Sequence, residues 1–316
     1  MSDAPIGEFE LIRRIQQRAT SHPNVILGIG DDAALLRPPG NDVPIVVTTD
    51  MLLDGRHFLL AEHGAEAVGY KSLAVNLSDI AAMAARPVAA FVSVAFPRHQ
   101  AASIADGLMR GMAPLADRFG VALAGGDTNA WDGPLVVCVT VTGEAVPPGP
   151  ILRSGARVGN AVLVTGPLGG SLLGRHLHPE PRIVEALALI ERTPLHALVD
   201  LSDGLASDLG HILEQSGGLG ATIDADAIPI HPDAQTLAHR SGRSPLEHAL
   251  ADGEDFELCL VVAPESADDL LASPPPGMRL HRVGTIDSEP GLRLRHLNAP
   301  TESVSIKGFD HLVSDE

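Results

Sequence analysis

The sequence predicts a mixed α/β (α+β) protein made of two successive halves, and three observations lead to this prediction. The 316 residues amount to roughly two average domain lengths. Apolar residues make up 45% of the chain and charged residues 20%, which is the composition of a chain that buries a core. Segments with the pattern of strands alternate with segments that have helical spacing of their apolar residues.

The first half is predicted to follow the order βαβαββ. Its β-branched and apolar runs indicate strands, and its alanine-rich segments with helical spacing indicate helices that end before Pro87 and at Gly120. The predicted strands cover residues 44–51, 88–96, 121–124 and 135–141, and the predicted helices cover 66–85 and 101–119. The proline-rich segment 147–150 then interrupts the pattern. We therefore predict one domain over residues 1–148 and a second over 149–316.

The second half restarts with a strand and is predicted to be a separate α/β domain. A glycine-rich loop over residues 166–171 follows its first strand. The helix that begins at Leu205 is closed by Gly217 and Gly218, as expected of a helix C-terminus. The predicted strands cover residues 161–165, 199–201, 256–262 and 279–286, and the predicted helices cover 205–215 and 265–271.

Charge and cysteine content exclude several classes of protein. Lys and Arg total 22 and Asp and Glu total 40, so the net charge of −18 argues against nucleic-acid and anionic-membrane binding. The best apolar run, residues 88–96, is less than half of the roughly 20 residues that span a membrane. The acidic N-terminal residues lack an apolar signal core. Two cysteines, Cys138 and Cys259, lie in apolar runs and read as buried side chains, so we expect a cytoplasmic protein without disulfides.

One segment matches the sequence pattern of a dinucleotide-binding motif, but we do not expect it to bind a dinucleotide. The segment Gly28-Ile-Gly-Asp-Asp-Ala33 matches G-x-G-x-x-A, and Asp50 follows about 20 residues later. However, its two carboxylates would face the pyrophosphate, and Pro38-Pro39 leaves no room for the required helix. The phosphate-binding sequence of P-loop proteins is also missing.

Carboxylates recur at strand ends and glycine turns in six places. Each one alone is an ordinary turn or helix cap. Together in one cleft, they would raise each other's pKa unless cations lay among them. Oxygen ligands without histidine or cysteine suit Mg²⁺ or Mn²⁺, and Mg²⁺ commonly binds carboxylates together with substrate phosphates. The sequence has two lysines, Lys71 and Lys307, so lysines cannot neutralise phosphates in bulk. These clusters therefore indicate metal-assisted phosphate chemistry; they comprise Asp31, Asp32, Asp50, Asp79, Asp127, Asp200, Asp203, Asp252, Glu254 and Asp255.

Eight motifs in order along essentially the whole chain resemble the thiamine-monophosphate kinases. They are Gly7-Glu-Phe-Glu-Leu-Ile12, Gly28-Ile-Gly-Asp-Asp-Ala33, Thr48-Thr-Asp-Met-Leu-Leu-Asp-Gly-Arg-His-Phe58, Leu73-Ala-Val-Asn-Leu-Ser-Asp-Ile-Ala-Ala-Met83, Gly125-Gly-Asp-Thr128, Leu201-Ser-Asp-Gly-Leu205, Gly253-Glu-Asp-Phe-Glu-Leu258 and Lys307-Gly-Phe-Asp-His311. Each motif is weak alone, and together they are very specific. The resemblance implies a homodimer whose N-terminal halves pair into a β-barrel. It also implies that ATP and thiamine monophosphate give ADP and thiamine diphosphate, with several Mg²⁺ ions.

The resemblance also implies roles for individual residues, of which Asp50, Asp127 and Asp203 are expected to be the most critical. The implied metal positions are Asp32, Thr48 through its carbonyl group, Thr49, Asp50, Asp79, Asp127, Asp200 and Asp203. The implied nucleotide positions are Gly126, Asp127, Arg153 and Ser202, and the implied thiamine monophosphate positions are His57, Glu254 and Phe309. The sequence departs from the family pattern at Arg56 and Asn129, and neither departure removes an implied ligand.

Other functions stay open at this point. The resemblance implies membership of the aminoimidazole-ribonucleotide-synthetase superfamily, which contains two further ATP-using classes. Selenophosphate synthases need a reactive cysteine near the N-terminus, and hydrogenase maturation proteins need one at the C-terminus. The sequence has neither cysteine. An acidic Mg²⁺-dependent phosphatase would use the same carboxylates and release free phosphate. A non-catalytic cation-binding protein would turn over no ATP. The acceptor phosphate has a second pKa of about 6, so we expect no general base in a kinase reaction.

Overall fold

The first half folds in the predicted βαβαββ order and has three further elements at its start. The computed structural model describes residues 7–40, 42–297 and 300–304. Helix α3 has the bounds that the sequence predicted, and the neighbouring elements differ at their ends. The elements are α1 (Glu8–Gln16), β1 (Val25–Leu27), β2 (Ala34–Leu36), β3 (Ile45–Leu53), α2 (Leu60–Ala82), β4 (Ala85–Pro97), α3 (Ala101–Phe119), β5 (Ala122–Trp131) and β6 (Val136–Ala145).

These strands form one six-stranded sheet in the order β1-β2-β3-β6-β4-β5. All neighbours are antiparallel except β4 and β5, which α3 connects as a parallel crossover. Helices α2 and α3 cover one face, where Val46, Val137 and Val139 are fully buried. The other face is open and exposes Met51 and Phe91. An alternation of buried and exposed residues follows from this one-sided cover.

Helices α2 and α3 approach closely because glycines lie at their contact. A Cβ atom on Gly69 would lie 2.2 Å from the carbonyl oxygen of Leu108, and one on Gly111 would lie 2.0 Å from that of Glu66. Helix α2 is itself rich in Ala, Gly and Ser, and it is buried on nearly all sides from residue 67 onward. A helix that is apolar all round belongs in an interior. Helix α2 accordingly contacts both the first sheet and the second half of the chain.

The second half forms a seven-stranded sheet in the order β13-β12-β9-β11-β7-β10-β8. Within this sheet, β9 and β12 are the only described neighbours that pair in parallel. Helix α5 has the predicted bounds, whereas α4, α6, α7, β9, β12 and β13 were not predicted. The elements are β7 (Ala161–Val164), α4 (Ile183–Arg192), β8 (Ala197–Asp200), α5 (Leu205–Gln215), β9 (Gly220–Asp224), α6 (Pro232–Ser241), α7 (Pro245–Ala251), β10 (Leu258–Val262), α8 (Pro264–Ala272), β11 (His281–Asp287), β12 (Gly291–Arg295) and β13 (Glu302–Val304).

Both faces of the second sheet are covered where β7, β10 and β8 lie side by side, and these three strands are buried at every residue. Strand β7 shows this clearly, because Leu163 joins the core that extends beneath α2 and α3 while Val162 joins the core beneath α5. Continuous apolar runs are typical of strands buried on two faces. The first core crosses from one half of the chain to the other, and α2 lies between the two sheets.

The structure bears on three sequence predictions. The strand predicted over residues 121–124 is too short, because β5 continues to Trp131 alongside β4. Strand β2 follows the segment 28–33, so no helix begins there and a dinucleotide site is excluded as argued. Cys259 is buried, but Cys138 is only partly buried, on the open face of the first sheet. Within the described part of the chain, no helix is long and apolar enough to cross a membrane.

Candidate active site

A cavity of about 780 Å³ runs along α2 between the two halves of the chain. Lys71, Val75 and Asp79 line it from one face of the helix, since residues four apart lie above one another. The eight residue steps from Lys71 to Asp79 correspond to roughly 12 Å along the helix axis. The cavity therefore has two ends, which we call the acid end, at Asp79, and the lysine end, at Lys71.

The acid end brings together carboxylates from three distant parts of the sequence. Oxygen atoms of Asp32, Asp79 and Asp200 all lie within 4.8 Å of one another. Asp200 is the last residue of β8 and accepts a hydrogen bond of 2.5 Å from Ser78 Oγ. The hydroxyl group of Thr48 donates a hydrogen bond to Asp79. This arrangement joins β3, α2 and β8, as the predicted metal set requires.

Asp50 extends the acid end, and burial penalises its ionised form. Desolvation raises the pKa of Asp50 to about 6, with a further contribution from the Asp32 carboxylate. Burial and the neighbouring Asp32 raise the pKa of Asp200 to about 7. The pKa of Asp79 is raised well above the ordinary carboxyl value by burial and by Asp50. Such carboxyl groups ionise together only when cations compensate their charge.

The residues at the acid end fit a divalent cation. Asp32 Oδ2 is buried, and among the described residues it has no hydrogen-bond partner. The other oxygen, Oδ1, accepts from Nε of Arg153 at 3.1 Å and from a second guanidinium nitrogen. Uncompensated carboxylate oxygens in a cluster without thiol ligands suit Mg²⁺. Asp32, Asp50, Asp79 and Asp200 are therefore the side chains that would hold Mg²⁺ here.

A second acidic group lies at the start of α5 beside the same cavity. Ligand atoms of Asp203, Asp208 and His211 lie within 4.8 Å of one another, and Asp203 lines the cavity. The backbone N–H of Asp203 donates a 3.1 Å hydrogen bond to Asp208. Asp208 and His211 were not singled out from the sequence. Their three-residue spacing on a predicted helix, close to Asp203, was the signal that could have found them.

The lysine end is built around one buried cation. The Nζ atom of Lys71 donates to the carbonyl oxygen of His57 and to both carboxylate oxygens of Glu254, each at 2.8 Å. His57 Nδ1 accepts a hydrogen bond of 3.0 Å from the N–H of Leu53. The neutral imidazole therefore carries its proton on Nε2. Lys71 was noted in the sequence only as one of two lysines, and the structure places it against two implied substrate residues.

A strained loop holds Glu254 against the segment that carries Ser202. The N–H of Glu254 donates to the carbonyl oxygen of Ser202 at 2.7 Å. Gly253 has φ +71°, and a Cβ atom there would lie 2.5 Å from the same oxygen, so only glycine fits. Glu254 itself has φ +53°, an uncommon value for a residue with a side chain. Backbone strain of this kind clusters at functional sites.

Gly126 and Asp127 lie away from the acid end of the same chain. In register, Asp50 pairs with Val139, Val139 with Val92, and Val92 with Gly126, so three strand spacings, or roughly 14 Å, separate Asp50 from Gly126. Asp127 is exposed on edge strand β5 and pairs with Ser93.

The side chain of Asp127 also faces away from the cavity. One row of paired residues crosses the open face of the sheet and consists of Met51, Cys138, Ser93 and Asp127. Met51 follows Asp50 directly in the sequence, so the side chains of this row point to the face opposite that of Asp50. Thr49 shares that open face and contacts the hydroxyl group of Thr140 at 2.9 Å. The side chains of Thr49 and Asp127 thus belong to the open face, although Thr49 and Met51 also border the cavity. Phe309 lies outside the described residues.

Comparison with known proteins defines the class of protein to which this fold and site belong. The family model described as AIR synthase related protein, N-terminal domain, matches residues 30–145. The model for the C-terminal domain of the same proteins matches residues 157–296. The chain is thus built from the two domains of the AIR synthase related proteins.

Individual relatives narrow this class. The sequence is 42% identical to the thiamine-monophosphate kinase of Rhodopirellula baltica, over 98% of each chain. The structure of "AaThiL complexed with AMPPCP and TMP" matches with a TM-score of 0.82 and 26% identity, over 98% of this chain and 99% of that one. The thiamine-monophosphate kinase structure from Stenotrophomonas maltophilia matches with a TM-score of 0.71 and 36% identity, over 91% and 96%. The chain belongs to the thiamine-monophosphate kinase family.

Proposed function

We propose that this chain transfers a phosphoryl group from ATP to thiamine monophosphate, which yields ADP and thiamine diphosphate. The observation that carries the proposal is the cavity along α2, with an acid end suited to Mg²⁺ and a hydrogen-bonded lysine end. Its relative AaThiL was solved with AMPPCP and TMP, which are the kinds of ligand that such a cavity would take. The match over nearly the full length of both chains extends the comparison to both halves.

The proposed reaction needs the chain to position two polyanions and needs no general base. The acceptor is a phosphate monoester, which is already ionised near neutral pH. Bound Mg²⁺ would screen the charge repulsion and stabilise the transferring phosphoryl group. In this proposal Asp32, Asp50, Asp79, Asp200 and Asp203 hold the metal ions.

The remaining implied residues orient the two substrates. Arg153 and Ser202 lie beside the acid end and are assigned to ATP. His57 and Glu254 at the lysine end are assigned to thiamine monophosphate, together with Phe309. The imidazole of His57 presents an Nε2–H donor, which suits a phosphate or a ring nitrogen as acceptor. Positioning of this kind supplies most of the rate enhancement of phosphoryl transfer.

We also propose that the active protein is a homodimer with barrel-like pairing of the first sheets. The open face exposes Met51, Leu53, Val88 and Phe91, with 56% of Met51 accessible. Large apolar side chains on one sheet face favour contact with another surface. Asp127 lies on the same face. We propose that, in the dimer, Gly126 and Asp127 of one copy complete the acid end of the other. The nucleotide site would then be shared between chains.

Two further assignments complete the proposal. The cytoplasm is the proposed compartment, which is supported by two cysteines without a disulfide in the structure. The proposed domain boundary at residues 148 and 149 falls between the two matched family models, which end at 145 and begin at 157.

Product identification tests the proposed function directly. The purified chain is incubated with ATP, MgCl₂ and thiamine monophosphate, and all thiamine species and nucleotides are separated by chromatography. We expect thiamine diphosphate and ADP in equal amounts, with no product when EDTA is present. Free phosphate together with thiamine would instead indicate a phosphatase, and the absence of any ATP turnover would indicate a cation-binding protein. Either result would refute the kinase proposal.

A further inference from the structure

Lys71 is a buried cation at the centre of the molecule. It is one of two lysines in the sequence, and its side chain is 1% exposed. Burial lowers its pKa, and the carboxylate of Glu254 opposes this effect. A lysine is almost never fully buried unless it is paired. Its place on α2 beside the cavity therefore calls for a reason.

The hydrogen bonds of Lys71 are fully used within the protein. An ammonium group has three N–H donors. One donates to the carbonyl oxygen of His57, and the others reach the two carboxylate oxygens of Glu254, all at 2.8 Å. Lys71 therefore has no donor left for a phosphate unless one of these bonds breaks. It acts on a ligand through its partners.

The two partners come from different halves of the chain. His57 follows β3 in the first half, and Glu254 follows α7 in the second half. His57 is held twice, by Lys71 at its carbonyl group and by the Leu53 N–H at its ring. Glu254 is also held twice, by Lys71 at its carboxylate and by Ser202 at its backbone. Lys71 is thus the residue that contacts both His57 and Glu254 and links the two halves of the chain at this end of the cavity.

Stability alone does not account well for the ion pair between Lys71 and Glu254. Buried pairs often contribute little net stability, because desolvation offsets the attraction. Glu254 is 22% exposed and lines the cavity, and its backbone conformation is strained. A carboxylate can accept about four hydrogen bonds, so Glu254 keeps acceptor capacity after Lys71 has taken two. That capacity can face the cavity.

We infer that Lys71 is a positioning residue for the acceptor end of the site. It orients the Glu254 carboxylate and the His57 segment relative to each other, so that together they recognise a ligand with a cationic or N–H donor group. This inference rests on the proposed function, in which His57 and Glu254 contact thiamine monophosphate. Because Lys71 acts through Glu254, removing both side chains should cost little more than removing one.

A double-mutant cycle tests the inference. The variants are Lys71→Met, Glu254→Gln and the double variant, each measured for KM of both substrates, kcat and melting temperature. Losing a charge-assisted hydrogen bond should raise KM for thiamine monophosphate by about tenfold or more in each single variant. KM for ATP should change by less than about twofold, because the lost contact is made by thiamine monophosphate and not by ATP. The double variant should resemble the worse single variant, because coupled residues are not additive.

A matched control separates positioning from stability. Arg182 is a partly buried cation that pairs with Glu257 outside the residues that line the cavity. Arg182→Met should lower the melting temperature and leave the ratio of the two KM values unchanged. If Lys71→Met does not fold, Lys71→Gln, which keeps a polar donor, takes its place in the same cycle.

The possible outcomes discriminate clearly. Multiplicative effects of the two single variants on acceptor KM, or equal effects on both KM values, would overturn the positioning role while the wild-type kinase stayed active. A lower melting temperature with unchanged kinetics would show that Lys71 is a structural ion pair only. A wild-type chain that makes no thiamine diphosphate would refute the proposed function, and the positioning role with it.

Discussion

Individual carboxyl groups at the acid end determine both the proposed chemistry and a cost in stability. Asp50, Asp79 and Asp200 have pKa values raised by burial and by each other or by Asp32. Their repulsion disfavours the folded protein at neutral pH in the absence of cations. Replacement of a metal-holding carboxylate by a neutral side chain should therefore lower the activity without lowering the stability of the metal-free protein.

Asp50→Asn should show both effects. Removal of one ionised ligand should lower kcat/KM by about 100-fold or more, in line with losses at preorganised electrostatic groups. The melting temperature of the metal-free protein should stay the same or rise, because one repelling charge is gone. Turnover assays with saturating Mg²⁺ and thermal melts in EDTA measure the two quantities. The matched control is Asp106→Asn on the exposed side of α3, which should change neither, and near-normal turnover of Asp50→Asn would show that Asp50 is not a ligand.

The same pKa shifts predict how pH affects the metal-free protein. Burial raises the pKa of Asp50 to about 6 and that of Asp200 to about 7, above the ordinary carboxyl value. A group with a raised folded-state pKa contributes its full stability below its ordinary pKa, and this contribution is lost as pH rises through 6 and 7. In EDTA, the acid end therefore destabilises the protein more at pH 8 than at pH 5.

Added Mg²⁺ should consequently raise the melting temperature more at pH 8 than at pH 5, because the ligands must be ionised to bind it. Thermal melts at both pH values, with EDTA and with MgCl₂, measure the difference. Asp200→Asn should reduce the pH dependence of the Mg²⁺ effect. Burial lowers the pKa of His176, which acts in the opposite direction, but His176 is not among the implied metal positions and does so with and without Mg²⁺. A Mg²⁺ effect that is independent of pH would contradict the assigned role of these carboxyl groups.

At the scale of elements, helix α2 organises the site. It carries Lys71 and Asp79 on one face at the two ends of the cavity, and it packs against both sheets. Its position depends on the contact with α3, where glycines allow the two backbones to meet. A small displacement of α2 would move both ends of the cavity, and errors of about 1 Å can lower the rate of a reaction strongly.

Gly111→Ala should disturb this contact. The new Cβ atom would lie 2.0 Å from the carbonyl oxygen of Glu66, so the helices must separate. Overpacking of this kind costs about 1–3 kcal/mol of unfolding free energy. The midpoint of chemical denaturation and kcat, measured on the same sample, should both fall below the wild-type values. Gly28→Ala is the control, because its Cβ atom would meet Val25 at an ordinary 3.8 Å. An unchanged denaturation midpoint would show that α2 and α3 tolerate a wider spacing.

At the scale of the whole molecule, one chain divides the implied metal positions between two surfaces. Asp50 faces the cavity, whereas Asp127 lies on the open face roughly three strand spacings away. The proposed dimer resolves this division, because the partner's copy would supply Asp127. Subunit mixing distinguishes this arrangement from a site within one chain.

Asp50→Asn and Asp127→Asn should each be nearly inactive alone and should complement each other when co-expressed. With random pairing, half of the dimers are mixed and each has one intact site, which gives about a quarter of wild-type activity. Co-expression with distinct affinity tags allows the mixed species to be purified and assayed, and sedimentation measures the oligomeric state. Mixed dimers without activity would place both carboxylates in one chain's site, and a monomer at micromolar concentration would remove the shared site altogether.

The amino-acid sequence by itself determined the order of elements in the first half, the family resemblance and the chemistry of the acidic clusters. Local patterns carry this information, since the spacing of apolar residues in α3 and α5 and the glycine after each helix depend on neighbours in sequence. Strand β9 escaped prediction because packing in the second half, more than local pattern, defines it. Helix α4 did carry a local signal that was missed, because Ile183, Ala186 and Leu189 recur at helical spacing and are buried. The run of Gly125, Gly126 and Asp127 reads as a turn locally, but pairing with β4 extends it as a strand.

Only the tertiary structure decided which of the implied residues meet. The sequence places Lys71 and Glu254 183 residues apart, and their ion pair exists because α2 lies between the two halves. The sequence alone also gives no reason to distinguish Thr49 from Thr48 and Asp50 as metal positions. In β3, however, side chains alternate, so Thr49 points to the face opposite that of Thr48 and Asp50. Asp127 likewise cannot be separated from Asp50 by sequence. Which carboxylates share a cation depends on strand order and on the direction of each side chain, and these are properties of long-range packing that no local pattern contains.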